Sequence, residues 1–193
     1  SSAASDVYKR QIEYYKGIFT ILSSCAARQL EEVTFRRTTI PVQELFDAAG
    51  KYFRKVMKNR MEKIELIMEP MEAKVIGDVN QLRFLFENLI DEALAVHEEG
   101  VIRLQARKDN EYVRFLFTDT RREKSVTELN QLFYPNLARM TSGEKGELRG
   151  TEYLICKQII RDHDEFAGRR GCRINAEPAE GGGFTVYFTI PRR

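Results

Sequence analysis

The sequence predicts an α+β protein: a two-layer α/β sandwich, helices against an antiparallel sheet, preceded by a coiled-coil-type helix. Three observations carry this prediction. A capped amphipathic helix occupies the stretch from Gly77 to Gly100. From Thr38 to the end the order reads strand, helix, strand, helix, two strands, short helix, loop, helix, two strands. Before it, Asp6 to about Glu32 carries apolar residues in steps of three and four, a seam that one helix cannot bury alone.

Bulk properties narrow the class. The chain has 193 residues, 42% apolar and 31% charged, enough for one domain with an appended element. A formal net charge of +2 gives no reason to expect nucleic acid as a partner, and no basic stripe with interleaved aromatics occurs. The doublets Arg36-Arg37, Arg121-Arg122 and Arg169-Arg170 read as solvated surface or local ion pairs. Three widely spaced cysteines (Cys25, Cys156, Cys172) without a CxxC read as small buried apolar residues of a reducing compartment. No apolar run approaches the roughly 18 residues of a membrane span, and the polar start is no signal peptide. The expectation is a cytoplasmic protein, or the cytoplasmic part of a larger membrane-anchored one.

In order, Ile12, Tyr15, Phe19, Leu22 and Ala26 form the first seam, and Leu30 and Val33 extend it with a slip of one residue. Thr38 to Ile40 is β-prone, and Pro41 suits a first helical turn. A helix from about Val42 to Glu62 presents Leu45, Phe46, Ala49, Phe53, Val56 and Met57 on one face. Lys63 to Glu69 alternates as a strand, and Ala73 to Ile76 connects to the central helix. There Asp78 is the N-cap, Gln81 closes a capping box, and Leu82, Leu85, Phe86, Leu89, Ala93 and Val96 form the apolar face. Asn88, Asp91 and Glu92 share this helix, and polar groups cost free energy on a buried face unless satisfied or used. A hairpin (Val101–Ala106, Tyr112–Thr118) turns at KDNE; a short helix spans Ser125 to Tyr134; Asn136 to Arg149 is a polar loop. A helix from Thr151 to Asp164 and strands Cys172–Ala176 and Phe184–Ile190, joined by AEGGG, complete the chain.

The run from Pro41 to Pro191 resembles the ATP-binding domain of sensor histidine kinases, type II topoisomerases and MutL, the GHKL or Bergerat-fold superfamily. GDVNQLRFLFENLIDEAL is similar to the family's N-box helix, typically GDPDRLRQVLLNLLSNAI. LICKQII is similar to the helix after the second glycine box, and GGGFTVYFTIP to the final strand of the catalytic domain. The first helix resembles the second of the two dimerisation helices that precede such domains. The implied division is a dimerisation-type helix at 1–35 and an ATPase-like domain at 36–193.

What the resemblance implies for chemistry passes residue by residue. The N-box asparagine that helps hold magnesium falls on Glu92, with Asn88 one turn earlier; a slip of one residue would put Asp91 there. Glu92 and Asn88 are thus the candidate magnesium ligands, since hard oxygen donors suit the ion. The adenine-accepting aspartate of the first glycine box corresponds to Asp119, but Thr120, Arg121, Arg122 and Glu123 follow where glycines are expected. Of the second box only Gly150 stays in register, and Glu152 stands where phosphates would meet the helix N-terminus. Asn136 to Arg149 corresponds to the ATP lid. Neither histidine is a phosphoacceptor: His97 reads as solvated and His163 as structural, so no catalytic residue is assigned.

The resulting expectation is a histidine-kinase-like regulatory protein, a degenerate pseudokinase with ATP and magnesium binding weak or absent. It would dimerise through its first helix and engage a response regulator or an upstream sensor domain. The alternative is an active sensor kinase that binds Mg-ATP and phosphorylates a histidine outside this sequence.

Overall fold

The computed structural model describes residues 2–12, 35–134 and 151–193. Residues 2–12 are helical (α1), which begins the predicted seam earlier than Asp6; the rest of the seam, from Tyr15 to Val33, lies outside the described residues. So do Cys25, the loop Asn136 to Arg149, and Gly150.

Among the described residues, seven strands and four further helices follow: β1 (Thr38–Pro41), α2 (Val42–Met57), β2 (Ile64–Glu69), β3 (Lys74–Gly77), α3 (Val79–Leu94), β4 (Gly100–Asp109), β5 (Tyr112–Asp119), α4 (Val126–Gln131), α5 (Glu152–Phe166), β6 (Ile174–Pro178) and β7 (Phe184–Pro191). The main sheet has the order β2-β4-β5-β7-β6, and β1 pairs with β3 in a small antiparallel ribbon. β2 and β4 run parallel, with Leu66 opposite Ile102, so the sheet is mixed rather than wholly antiparallel. The reason is topological: β3 and α3 lie between them in sequence and carry the chain back to its starting edge. Elsewhere the pairing is antiparallel, Phe115 opposing Phe188 and Asp119 opposing Phe184.

One core joins the two layers. Phe46 of α2, Phe86 of α3, Phe115 of β5 and Phe188 of β7 are all fully buried. Phe115 and Phe188 stack at 5.0 Å between centroids, and Phe86 meets them at 5.7 and 5.6 Å. Along β5 burial alternates strictly, so Val113, Phe115, Phe117 and Asp119 all face the helices. The last of these inward positions therefore carries a carboxylate.

The two long helices depart from expectation at both ends. α2 ends at Met57, not Glu62, because Arg60 turns back to donate to Leu94 O at the end of α3. Pro41 stays extended (φ −62°, ψ 136°) as the last residue of β1 and the N-cap of α2. α3 ends at Leu94, and Gly100 opens β4 with φ +143°, a backbone that glycine tolerates. At its other end Asp78 accepts from Asn80 N and Gln81 N, but the reciprocal half of the capping box is absent. Asp78 N donates instead to His163 Nε2 at 3.1 Å, and Gln81 Oε1 is buried without a partner among the described residues.

His163 is thereby fixed as a structural acceptor. Its Nδ1 donates to Ile159 O at 2.7 Å, so the proton sits on that nitrogen. Phe35 packs edge-on against the ring at 4.8 Å, and Arg36 N donates to Asp78 Oδ2 at 2.9 Å. Burial lowers the imidazole pKa to about 4, only partly opposed by the Ile159 bond and by Asp78. The unfolded chain, with an ordinary value near 6.5, then binds the proton more readily than the folded one. Stability from this group is full above about pH 6.5 and declines as pH falls toward 4, by about 3 kcal/mol in all. Urea midpoints of wild type and His163→Gln across this range should diverge accordingly, with the variant's pH dependence flatter. Parallel curves would remove the assignment.

Candidate functional site

Asp119 is the pivot. The twofold period of β5 turns it toward α3, and it is 1% exposed. Such a carboxylate must be paired or hydrogen-bonded. Both of its oxygens are occupied by Arg121 and Arg122, two and three residues further along the chain. Oδ1 accepts from Arg121 N at 3.0 Å and Arg121 Nε at 3.0 Å; Oδ2 accepts from Arg121 Nη2 at 3.0 Å and Arg122 Nε at 3.2 Å. The Arg121 side chain is as buried as its partner, at 1%.

Of the two readings open for the Arg121-Arg122 doublet, solvated surface or local ion pairs, the structure takes the second, and the burial of the pairs is what the sequence did not indicate. Arg121 runs inward across Gly100 and reaches the open end of α3, donating to Ala93 O, Val96 O and Glu98 O. Arg122 lies over the Phe184 ring at 5.7 Å, with Nη2 buried and unpartnered among the described residues. Glu123, last in the run that replaces the glycines, accepts from Gly183 N at 3.0 Å. By contrast Arg169 and Arg170 make exposed ion pairs, with Glu111 and Asp164. The missed signal was local: a buried strand-end aspartate with two arginines two and three residues on.

The N-box positions divide between two faces. Asn88 is buried, and its amide donates to Phe84 O at 2.7 Å, one turn back along its own helix. Asp91 faces away and accepts from the Tyr52 hydroxyl of α2 at 2.7 Å. That clasp raises the Tyr52 pKa, chiefly through burial and then through the carboxylate's bond. Asp91 is thus committed to packing α2 on α3. Glu92, one turn after Asn88, is half-buried on the side toward α5. There Cys156 is fully buried, with Sγ against Leu85 O at 3.7 Å. Its thiol pKa is pushed up by burial and then by the charges of Glu152 and Glu92.

Glu152 sits in the first turn of α5, whose N-cap Thr151 makes no side-chain capping bond. Its Oε2 is buried with no hydrogen-bond partner among the described residues. Two carboxylates therefore share the space between α3 and α5, at the helix end where a phosphate would otherwise be welcome. Among the described residues no group of three or more His, Cys, Asp and Glu side chains could hold a metal ion. His97, at the far end of α3, is exposed and paired with Glu62 and Arg60. Of the candidates, Asn88 and Glu92 lie one turn apart on α3, Asp119 is held in its arginine clamp and linked through Arg121 to Ala93 O of the same helix, and Gly150 lies outside the described residues.

No helix among the described residues is long and apolar enough to cross a membrane. A search of proteins of curated function finds no match. Solved structures match well. The mycobacterial sensor histidine kinase MprB aligns at 18% identity over 82% of this chain and 99% of its own, with a TM-score of 0.63. The catalytic domain of histidine kinase ThkA aligns at 21% identity over 81% of this chain and 96% of its own, with a TM-score of 0.65. ThkA solved in complex with the response regulator TrrA aligns at 20% identity over 96% of this chain and 52% of its own, with a TM-score of 0.63. At these identities the likeness establishes the fold. A family model for the histidine kinase-, DNA gyrase B- and HSP90-like ATPases matches residues 77–193, from the cap of α3 through the last strand. With the mixed sheet and the helix layer in agreement, the chain belongs to that ATPase family.

Proposed function

We propose that this chain is a histidine-kinase-like regulatory module whose nucleotide pocket does not take Mg-ATP. The observation that carries the reading is the double arginine clamp on Asp119. An adenine amino group needs a carboxylate oxygen with a free lone pair in the pocket, and here both oxygens already accept from guanidinium groups. The residues present do not fit the rest of the ligand either. Glu92 and Glu152 bring negative charge to the place where phosphates and magnesium would bind.

On this reading residues 1–35 act as the dimerisation helix and 36–193 as a conformational reporter. The module is cytoplasmic, alone or as the cytoplasmic part of a membrane-anchored protein. Its partners are a second copy and a response regulator or sensor domain. The exposed Val7, Tyr8 and Ile12 on α1 favour the dimer, and the ThkA–TrrA complex offers a precedent for the regulator.

Calorimetric titration of the full chain with ATP and ADP, with and without magnesium, tests the reading. The expected result is no saturable heat at micromolar to low millimolar ligand and no rise in Tm. Saturable micromolar binding would establish the alternative, an active kinase domain whose phosphoacceptor histidine lies elsewhere.

A further inference from the structure

Arginine offers five N–H donors in a rigid planar fork and no acceptor. At position 121 all five are used. Nε donates to Asp119 Oδ1 at 3.0 Å; Nη1 to Val96 O at 3.3 Å and Glu98 O at 2.8 Å; Nη2 to Asp119 Oδ2 at 3.0 Å and to Ala93 O. The aliphatic stem crosses Gly100, where an added Cβ would lie 2.7 Å from Arg121 Cγ. Glycine is therefore required there twice over, for its φ of +143° and for the passage of the stem.

Taken without Arg121, this receptor consists of one carboxylate, three backbone carbonyls at the frayed end of α3 and a glycine floor. Beside Arg122, which stays on Asp119 Oδ2, it offers acceptors and lies at the negative end of a helix dipole. A planar cation with donors all around its rim satisfies it. Adenine does not, because ring nitrogens flank its single amino group and would face carbonyl lone pairs.

We propose that this is a guanidinium-binding site whose ligand is the chain's own residue 121. Arg121 acts as an internal ligand: it joins the end of β5 to the end of α3 and holds the pocket closed whatever the nucleotide supply. The inference rests on the reading that the pocket does not serve nucleotide, and the two can fail separately. Titration of wild type with ATP reports on the function, and the experiment below reports on the internal ligand.

In the full chain, Arg121→Ala removes what N-ethylguanidinium supplies. Arg122 still pairs with Asp119 in this variant, so it should fold, with Tm lowered by about 6 °C. Millimolar ethylguanidinium chloride should recover most of that loss saturably and leave wild type unmoved. Ethylammonium, with equal charge but no planar fork, and adenosine should recover nothing. An undiminished Tm in the variant would overturn the proposal. So would an ethylguanidinium response no larger than that of wild type, or equal rescue by adenosine. If Arg121→Ala yields no soluble protein, Arg121→Lys decides: it keeps stem and charge but offers three donors from one centre. A lowered Tm supports the five-donor site, and a Tm equal to wild type overturns it.

Discussion

Asp119→Ala is expected to cost about 3–5 kcal/mol of unfolding free energy, more than loss of either arginine. Removing the carboxylate leaves the Arg121 guanidinium buried at 1% exposure with an uncompensated charge, and Arg122 half-committed beside it. An aspartate deprived of a partner can take up a proton, whereas arginine cannot shed one. The three carbonyls at the end of α3 do not neutralise a charge, so the guanidinium must swing out, and α3 then loses its connection to β5. Urea unfolding of Asp119→Ala, Arg121→Ala and the double variant measures this. The double variant should be less destabilised than the sum of the singles by about 1–3 kcal/mol, because its second change removes the stranded cation. Strict additivity would mean that the ion pair contributes nothing as a pair.

Phe86→Ala should cost a similar amount, about 3–5 kcal/mol, for an unrelated reason. Phe86 is fully buried on α3 and faces rings on three other elements: Phe46 at 6.5 Å, Phe115 at 5.7 Å and Phe188 at 5.6 Å. Phe115 and Phe188 are cross-strand partners stacked on each other, so neither can move into the space left behind without disturbing the β5–β7 ladder. A site that cannot collapse pays both the transfer and the cavity cost. Thermal unfolding should show a Tm lower by about 10 °C, given roughly 2–4 °C per kcal/mol for a chain of this size. Phe86→Leu, which refills most of the volume, should recover more than half of the loss. A loss in Phe86→Ala below about 1 kcal/mol would show that the cluster repacks and that α3 is not the element on which the two layers close.

Local signals explain what was legible in advance. The apolar period of α3, its Asp78 cap, the β4–β5 hairpin and the β6–β7 glycine turn all depend on residues close in sequence, and each appears where expected. The inward placement of Asp119 was legible because strand alternation and its place at the end of FLFTD specify both depth and direction. The errors have the opposite character. The early stop of α3 goes with Arg121 binding Ala93 O in its last turn and Val96 O and Glu98 O just beyond it, and the early stop of α2 with Arg60 reaching Leu94 O. The incomplete capping box depends on His163, which lies far along the chain from Asp78. Helix propensity carries no information about such long-range partners.

The Arg121-Arg122 doublet marks the limit most clearly. As composition it belongs with Arg36-Arg37 and Arg169-Arg170, and charge that costs little on a surface gave no ground for separating them. The sequence alone was sufficient for the two-layer fold, the family and the place of Asp119, because periodicity and cap chemistry are properties of neighbouring residues. Only the tertiary structure decided what Asp119 does. Its partners come from the turn after β5 and the end of α3, and Gly100 lets the arginine stem pass between them. Whether a buried carboxylate keeps a lone pair for a ligand depends on which donors the fold brings within about 3 Å, a distance that no one-dimensional pattern encodes.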